Sequence, residues 1–213
     1  MLRDTPEVRW GALLVLLLVA ILLEPVFGAS RPVELLGLAL LQFVVVRALF
    51  TSVTDRRGRI AGLALALFWF GATLFAIFVD ALHGVVAAVS VLMLAGALYV
   101  TFRNLLDREA GDLEALVGAV FGYVLLAMAW AMFFVQIERW QPGAISFPDD
   151  APLWSSSVYY SLVTLTSLGY GDILPVHPLA RVMSGLEAVV GVLYIAVMIG
   201  SIVGSYRGRR YDK

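Results

Sequence analysis

The chain has 213 residues, of which 61% are hydrophobic and 15% are charged. An average globular chain is roughly half apolar and a quarter charged, so this composition indicates a membrane protein. A net charge of −1 with scattered arginines excludes the basic patch of a nucleic-acid-binding surface. Because the sequence has no cysteine, it also excludes a disulfide framework and a cysteine-based metal site.

Six apolar runs follow one another along the chain, and each approaches or exceeds the roughly 20 residues that cross a bilayer. They are residues 10–27, 33–50, 60–79, 85–102, 113–137 and 179–206. We therefore predict an all-α membrane protein with six transmembrane helices. The first run has an alternative interpretation as a cleavable signal peptide, with an apolar core at 13–23 and a possible cleavage site at 27–30.

The basic residues predict the orientation of these spans. Six spans place both termini on one side, and twelve of the fifteen lysines and arginines then fall on that side. Only Arg31, Arg139 and Arg181 fall on the other. Because lysine and arginine in short loops are retained on the inner side of a membrane, both termini are predicted to be cytoplasmic in a multi-pass protein of the cell (inner) membrane.

The segment between the last two runs is too short and too irregular for another span. Residues 138–152 contain three prolines and a glycine, which break regular structure. Pro152 suits the first turn of a helix over 153–166. At about 14 residues this helix is too short to cross a bilayer, so we predict that it is re-entrant.

The stretch that follows, 164–172, reads Thr-Leu-Thr-Ser-Leu-Gly-Tyr-Gly-Asp. In a soluble protein the Gly-Tyr-Gly-Asp end would be an ordinary turn. At membrane depth, non-helical backbone is tolerated only where protein buries it or where it lines a watery path. The two glycines allow the backbone to turn main-chain carbonyls toward a ligand.

The run Leu168-Gly169-Tyr170-Gly171 resembles the selectivity filter of potassium channels, in which backbone carbonyls replace the hydration shell of the ion. The similarity covers residues 113–206. Ser167 and Leu168 stand where threonine and valine are usual in the family; serine keeps the hydroxyl, and leucine offers the same carbonyl. The resemblance implies a pore domain at 113–213, made of an outer helix, a re-entrant pore helix, a selectivity-filter loop and an inner helix, beside a four-helix domain at 1–112.

The resemblance also implies a ligand and an assembly. K⁺ would be bound by the carbonyls of Ser167, Leu168, Gly169 and Tyr170 and by the Ser167 hydroxyl, with Gly171 completing the filter. One such loop cannot surround an ion, so four copies would form a cyclic homotetramer in membrane lipid. K⁺ would be the permeating ion, and neither a cofactor nor an enzymatic reaction is expected.

Several neighbouring residues are candidates for supporting the filter. Asp172 would concentrate cations at its mouth. Tyr159 and Tyr160 occupy positions where relatives carry aromatic residues that brace the filter, one of them through a hydrogen bond to this aspartate; the alternative is that both only fill apolar space. Thr166, which directly precedes the filter, belongs to the same set. Tyr170 is expected to point away from the ion path and to pack behind the filter.

Two residues of the last run are further candidates. Glu187 is an ionisable residue well inside a span, where a charge is expensive, and we predict that it lies at the depth of the filter or pore helix and hydrogen-bonds the residues that support the filter. Gly191 lies near the middle of the run, where relatives place a gating hinge. Close packing between helices is an equally good explanation for a glycine there.

The first four runs lack a voltage-sensing pattern. Such a sensor needs basic residues repeated through a span, and residues 85–102 contain neither lysine nor arginine. The sequence therefore favours a potassium channel with weak voltage dependence that conducts passively. The alternatives are a weakly selective monovalent cation channel and the membrane subunit of a potassium uptake transporter, whose chains usually carry four filter-like loops where this one has a single loop.

Overall fold

The computed structural model describes residues 10–50, 64, 67–72, 75, 83–106 and 113–211. The described chain is mainly helical. The helices are α1 (Trp10–Phe27), α2 (Arg31–Phe50), α3 (His83–Leu106), α4 (Leu113–Trp140), α5 (Leu153–Leu165) and α6 (Pro178–Tyr211). Two short strands, β1 (Ile145–Ser146) and β2 (Leu174–Pro175), flank α5.

Helices occupy five of the six predicted apolar runs, and the predicted all-α class is confirmed. The third run, 60–79, falls largely outside the described residues, although 67–72 are helical. Within the described ranges, four helical stretches are long and apolar enough to cross a membrane: Trp10–Phe27, Arg31–Phe50, Leu116–Trp140 and Pro178–Met198. In α3 the apolar stretch Ala88–Thr101 is shorter. The protein is therefore a multi-pass membrane protein, and the count of six spans stays a prediction.

Helix α1 packs one face against α2 and α4, while side chains such as Val15 and Leu22 on its other face are exposed. Trp10 is fully buried, and its ring lies 5.5 Å from that of Phe121. The backbone N–H of Trp10 donates to Glu114 Oε2 at 3.1 Å. Leu17 and Leu125 belong to the same apolar core. The first run thus packs as a transmembrane helix does, and the signal-peptide interpretation stays an alternative.

The connections on either side of α5 are tied together at one end of the bundle. Strands β1 and β2 pair antiparallel, with Ile145 opposite Pro175 and Ser146 opposite Leu174. The carboxylate of Glu138, near the end of α4, accepts hydrogen bonds from the backbone N–H groups of Gly143 at 2.7 Å and Ile145 at 3.0 Å. We call this part, residues 141–152 and 172–177, the loop end of the bundle.

Candidate functional site

The short helix α5 lies between α4 and α6 and also touches α1. Its 13 residues are too few to cross a bilayer, which takes about 20. The predicted bounds, 153–166, differ from the observed ones by a single residue. Pro152 occupies the N-cap with extended backbone (φ −60°, ψ 127°) and not the first helical turn. Its fixed φ angle suits the entry to the helix, and it leaves no N–H to satisfy there.

Helix α5 ends in a Schellman motif that the sequence analysis missed. The backbone N–H of Ser167 donates to the Thr164 carbonyl and that of Leu168 to the Val163 carbonyl, both at 2.9 Å. Ser167 is left-handed, with φ 57°. This position normally carries glycine, because a Cβ is strained there. Ser167 therefore closes the helix as well as opening the filter-like stretch, and its backbone is under strain.

The sign of φ alternates along the filter-like stretch. It is positive at Ser167 (57°), Gly169 (57°) and Gly171 (80°), but not at Leu168 or Tyr170. A regular strand turns successive residues to opposite sides. Changing the sign of φ at every second residue reverses every second peptide plane, so that successive carbonyls can share one side. Glycine makes this alternation inexpensive at two of the three positions.

The same stretch is exposed in a single copy of the chain. Residues 166–172 are all solvent-exposed, with Leu168 at 54% and Tyr170 at 68% of full exposure. The chain does not itself cover the ring of Tyr170, and the expectation that this ring packs behind the assembled filter stays a prediction. Its ring extends away from the helices of its own chain, so any surface that covers it comes from elsewhere.

Tyr159 and Asp172 connect the first half of α5 to the end of the filter-like stretch. The Tyr159 hydroxyl donates to Asp172 Oδ2 at 2.7 Å. This is the contact that the resemblance implies for one of the two tyrosines. The bond, helped by desolvation of the tyrosine, raises the pKa of Tyr159 to about 12. The same bond lowers the pKa of Asp172 below its ordinary value of 3.8.

These shifts predict the pH range over which the bond stabilises the protein. A lowered aspartate pKa gives a contribution that is complete above 3.8 and is lost as the pH falls through the folded value. A raised tyrosine pKa gives a contribution that is complete below 10 and is lost as the pH rises through about 12. We expect Tyr159→Phe to return the pKa of Asp172 to its ordinary range and to lower the Tm above pH 3.8, by an amount that shrinks as the pH falls through the folded pKa of Asp172. A Tm difference that stays constant on acidification would contradict this, and Tyr160→Phe is the matched control.

Tyr160 has a different role from its neighbour. Its hydroxyl lies 2.5 Å from Ser184 Oγ on α6, and its ring packs edge-on against Phe134 of α4 at 4.9 Å. Since the single hydroxyl proton of Ser184 is donated to the Ala180 carbonyl, the tyrosine is the donor. Tyr160 thus holds α5 to both long helices and does not bond Asp172.

Thr166 stabilises its own helix end. Its hydroxyl donates to the Leu162 carbonyl at 2.7 Å and approaches the Val163 carbonyl at 3.3 Å. Both acceptors lie in the last turn of α5, and each also accepts a backbone N–H, Leu162 from Thr166 and Val163 from Leu168. In one chain Thr166 supports the filter-like stretch only by securing the helix from which it emerges.

Glu187 is completely buried and contacts the middle of α5 rather than the filter-like stretch. Its Oε1 lies 2.5 Å from Ser161 Oγ, and Ser161 Oγ also lies 2.8 Å from the Ala127 carbonyl. A hydroxyl has one proton. Both short contacts are satisfied when Ser161 donates to Ala127 and a protonated Glu187 donates to Ser161. The three residues then join α4, α5 and α6 in one hydrogen-bonded chain.

Gly191 allows α6 to touch the end of α5. A Cβ added at Gly191 would lie 2.0 Å from the Leu165 carbonyl oxygen. That oxygen also accepts a hydrogen bond from the Tyr123 hydroxyl at 2.9 Å. Close packing therefore accounts for this glycine. Tyr123, Ser161 and Ser184 were absent from the sequence-based site, because serines and tyrosines inside apolar runs show their partners only once the helices are packed.

Comparison with known proteins identifies the region that contains this site. Residues 119–206 match the model of a family described as ion channel. The potassium voltage-gated channel protein shk-1 of Caenorhabditis elegans is 32% identical over 83 residues, 39% of this chain and 14% of the relative. Potassium voltage-gated channel subfamily A member 10 of Mus musculus is 30% identical over 101 residues, 47% of this chain and 18% of the relative.

A prokaryotic relative matches as well. A voltage-gated potassium channel of Aeropyrum pernix is 24% identical over 91 residues, 41% of this chain and 28% of the relative. The matches thus cover between about a seventh and about a quarter of the lengths of these relatives. No solved structure matches the chain. The sequence resemblance to potassium channels is nonetheless confirmed: residues 119–206, which include α5, the filter-like stretch and most of α6, match an ion-channel family and are similar to named potassium channels, one of them prokaryotic.

Proposed function

We propose that the protein is a potassium-selective channel, in which four copies of residues 166–172 surround one ion path and K⁺ moves passively down its gradient. The observation that carries this proposal is the filter-like stretch, which alternates in φ and is exposed in the single chain. Four such stretches around a fourfold axis would cover one another and direct their carbonyls at the axis. The named potassium channels among the relatives support the choice of ion.

The expected ligand atoms are main-chain oxygens of Ser167, Leu168, Gly169 and Tyr170 and the hydroxyl of Ser167, with Gly171 completing the filter. A cage of carbonyls offers K⁺ a replacement for its water shell.

The proposed topology is the one predicted from the sequence. It has six spans, both termini in the cytoplasm, a location in the cell membrane, and a pore domain at 113–213 beside a four-helix domain at 1–112. Arg139 and Arg181 at or beside the loop end would then face outward.

Potassium flux from liposomes that contain the purified protein tests this function. We expect flux of K⁺ to exceed that of Na⁺, and we expect Gly169→Ser to abolish it, because a side chain is strained at φ 57°. Gly143→Ser is the matched control: Gly143 has a similarly positive φ of 79° and open space around its Cβ position, but it lies at the loop end. Unchanged flux in Gly169→Ser would overturn the proposal.

The same assay separates the alternatives. Equal permeation of K⁺ and Na⁺ in bi-ionic reversal potentials would establish a weakly selective cation channel, which Ser167 and Leu168 leave open. A potassium uptake transporter subunit would need a nucleotide-binding partner and would give no flux by itself. The single filter-like loop in this sequence favours the channel.

We predict weak voltage dependence, although the relatives are named voltage-gated. Each elementary charge moved through 100 mV gains only about 2.3 kcal/mol, so steep gating requires several charges within a span. Residues 83–102 contain neither lysine nor arginine. Open probability in planar bilayers should therefore change less than about tenfold over 100 mV. Steep gating that persists in filter variants would contradict this prediction.

Two substitutions of the strained Ser167 distinguish the effect of its backbone conformation from the effect of its hydroxyl group. We expect Ser167→Gly to stabilise the protein slightly, because relief of about 1–2 kcal/mol of left-handed strain exceeds the added entropy of the unfolded chain. Ser167→Ala keeps the strain. Both variants lose the hydroxyl, so a decrease in K⁺ over Na⁺ selectivity that they share reports the hydroxyl alone. A selectivity change confined to one of them would show that the backbone is responsible.

A further inference from the structure

A cavity of about 350 Å³ lies outside the filter, where α1, α2, α3 and α4 meet the start of α5. Its depth is apolar, lined by residues such as Leu41, Leu94 and Met128. Cavities of this size and lining, between two structural units, are typical of small-molecule sites. None of the proposed channel functions uses it.

Three charged side chains line this cavity, from the end of α1, the start of α2 and the end of α4. They are Glu24, Glu34 and Arg139. Two carboxylates and one guanidinium leave one negative charge. Glu24 is half-buried, and Glu34 lies close enough for the two carboxylates to repel each other. A cation between the two carboxylates reduces their mutual repulsion, whereas an anion at the same place would be repelled by both.

The cavity also touches the pore helix. Leu153 and Trp154, the first two residues of α5, form part of its wall. The Glu24 carboxylate interacts with the backbone N–H of Ser155 in the same turn. A negative charge is favourable at a helix N-terminus, where the helix dipole is positive. Whatever fills the cavity therefore contacts the turn from which α5 begins.

We propose that this cavity is a binding site for a single-chain amphiphile with a protonated amine head. The ammonium group lies between Glu24 and Glu34, and the apolar chain extends toward Leu94 and Met128. A phospholipid has two long chains and an anionic phosphate, and neither suits a cavity of this volume and charge. The inference depends on the cavity in one chain and is independent of the proposed potassium conduction.

Direct binding to the full-length protein in lipid nanodiscs tests the proposal without any flux measurement. Dodecylamine is the probe, and dodecanoate is its anionic counterpart with the same chain length. Trp69 and Trp154 line the cavity, so intrinsic tryptophan fluorescence reports its occupancy. We expect a saturable fluorescence change with dodecylamine, beyond that of empty nanodiscs, and none with dodecanoate.

Two variants locate the site. Glu24→Gln with Glu34→Gln keeps the shape and removes the charge, and should weaken the apparent affinity for the amine by at least roughly tenfold. Val86→Phe fills part of the cavity and should abolish the saturable signal. Asp149→Asn is the matched control, since it removes an exposed carboxylate at the loop end that does not line the cavity.

Three results would overturn the proposal. Equal responses to dodecylamine and dodecanoate would show that only the apolar chain is recognised. Unchanged affinity in the double variant would place the amine elsewhere. Native mass spectrometry that found a phospholipid retained by the wild type, not displaced by the amine and lost in Val86→Phe, would assign the cavity to membrane lipid. The comparison of the two probes on the wild-type protein holds even if a variant fails to fold.

Discussion

Substitution of Gly191 by alanine should destabilise the fold by about 3 kcal/mol or more, the upper end of what overpacking costs. The added Cβ would lie 2.0 Å from the Leu165 carbonyl oxygen and 2.9 Å from its carbon. A backbone atom cannot move aside as a flexible side chain does. The end of α5 would have to shift, and with it the Schellman motif and the filter-like stretch. Thermal or denaturant unfolding of the purified protein in detergent measures the effect.

Gly185→Ala is the matched control on the same helix. No atom of the described chain lies within 4 Å of a Cβ added there. Since alanine is the better helix former, this variant should be neutral or up to about 1 kcal/mol more stable. The hinge hypothesis for Gly191 predicts something else, namely altered opening with an unchanged free energy of unfolding. Equal stability of Gly191→Ala and wild type would therefore favour the hinge over close packing.

Replacement of Glu187 by alanine should cost about 2–4 kcal/mol, because it empties a fully buried site and removes one of the hydrogen bonds that link α5 to α6. Glu187→Gln should stay within about 1 kcal/mol of wild type. The glutamine amide can donate to Ser161 as the protonated carboxyl does, while Ser161 keeps its bond to the Ala127 carbonyl. Chemical denaturation of the three proteins compares them directly.

Substitution of Ser161, the hydrogen-bond partner of Glu187, tests this assignment of the proton. Ser161→Ala leaves the Glu187 proton without its acceptor and should cost about 1–3 kcal/mol. In a double-mutant cycle with Glu187→Ala, the two losses should be clearly less than additive, since both remove the same bond. A Glu187→Gln variant as unstable as Glu187→Ala would show that the carboxyl is ionised, and that our assignment of the proton is wrong.

The sequence predicted the long helices well because an apolar run, and the glycine or polar residues that end it, are local signals. The first run was placed residue for residue, ending where Gly28 turns left-handed at φ 80°. The last helix was predicted to end at 206 but continues to Tyr211. The apolar run ends at 206, and a helix can continue into the polar residues that follow such a run. The family resemblance, which rests on a short contiguous motif, was confirmed by the comparison of residues 119–206 with known proteins.

The contacts between elements could not be predicted in the same way. Ser161 and Ser184 look like ordinary polar residues in their helices, and only the packing of α5 against α4 and α6 shows what they bond. Ser167 was assigned an ion-binding hydroxyl from its place in the motif. Its left-handed backbone depends on two hydrogen bonds to the preceding turn, which the motif does not specify.

The pairing of β1 with β2 has a mechanical consequence. Ile145 lies opposite Pro175, so α5 and the filter-like stretch are enclosed in a loop whose two ends are fastened to each other and, through Glu138, to the end of α4. Movement of the distant half of α6 leaves those anchor points in place. Among the described contacts between α5 and α6, the one between Gly191 and Leu165 lies nearest in the chain to the enclosed filter-like stretch, so displacement of the distant half of α6 would act on that stretch most directly there.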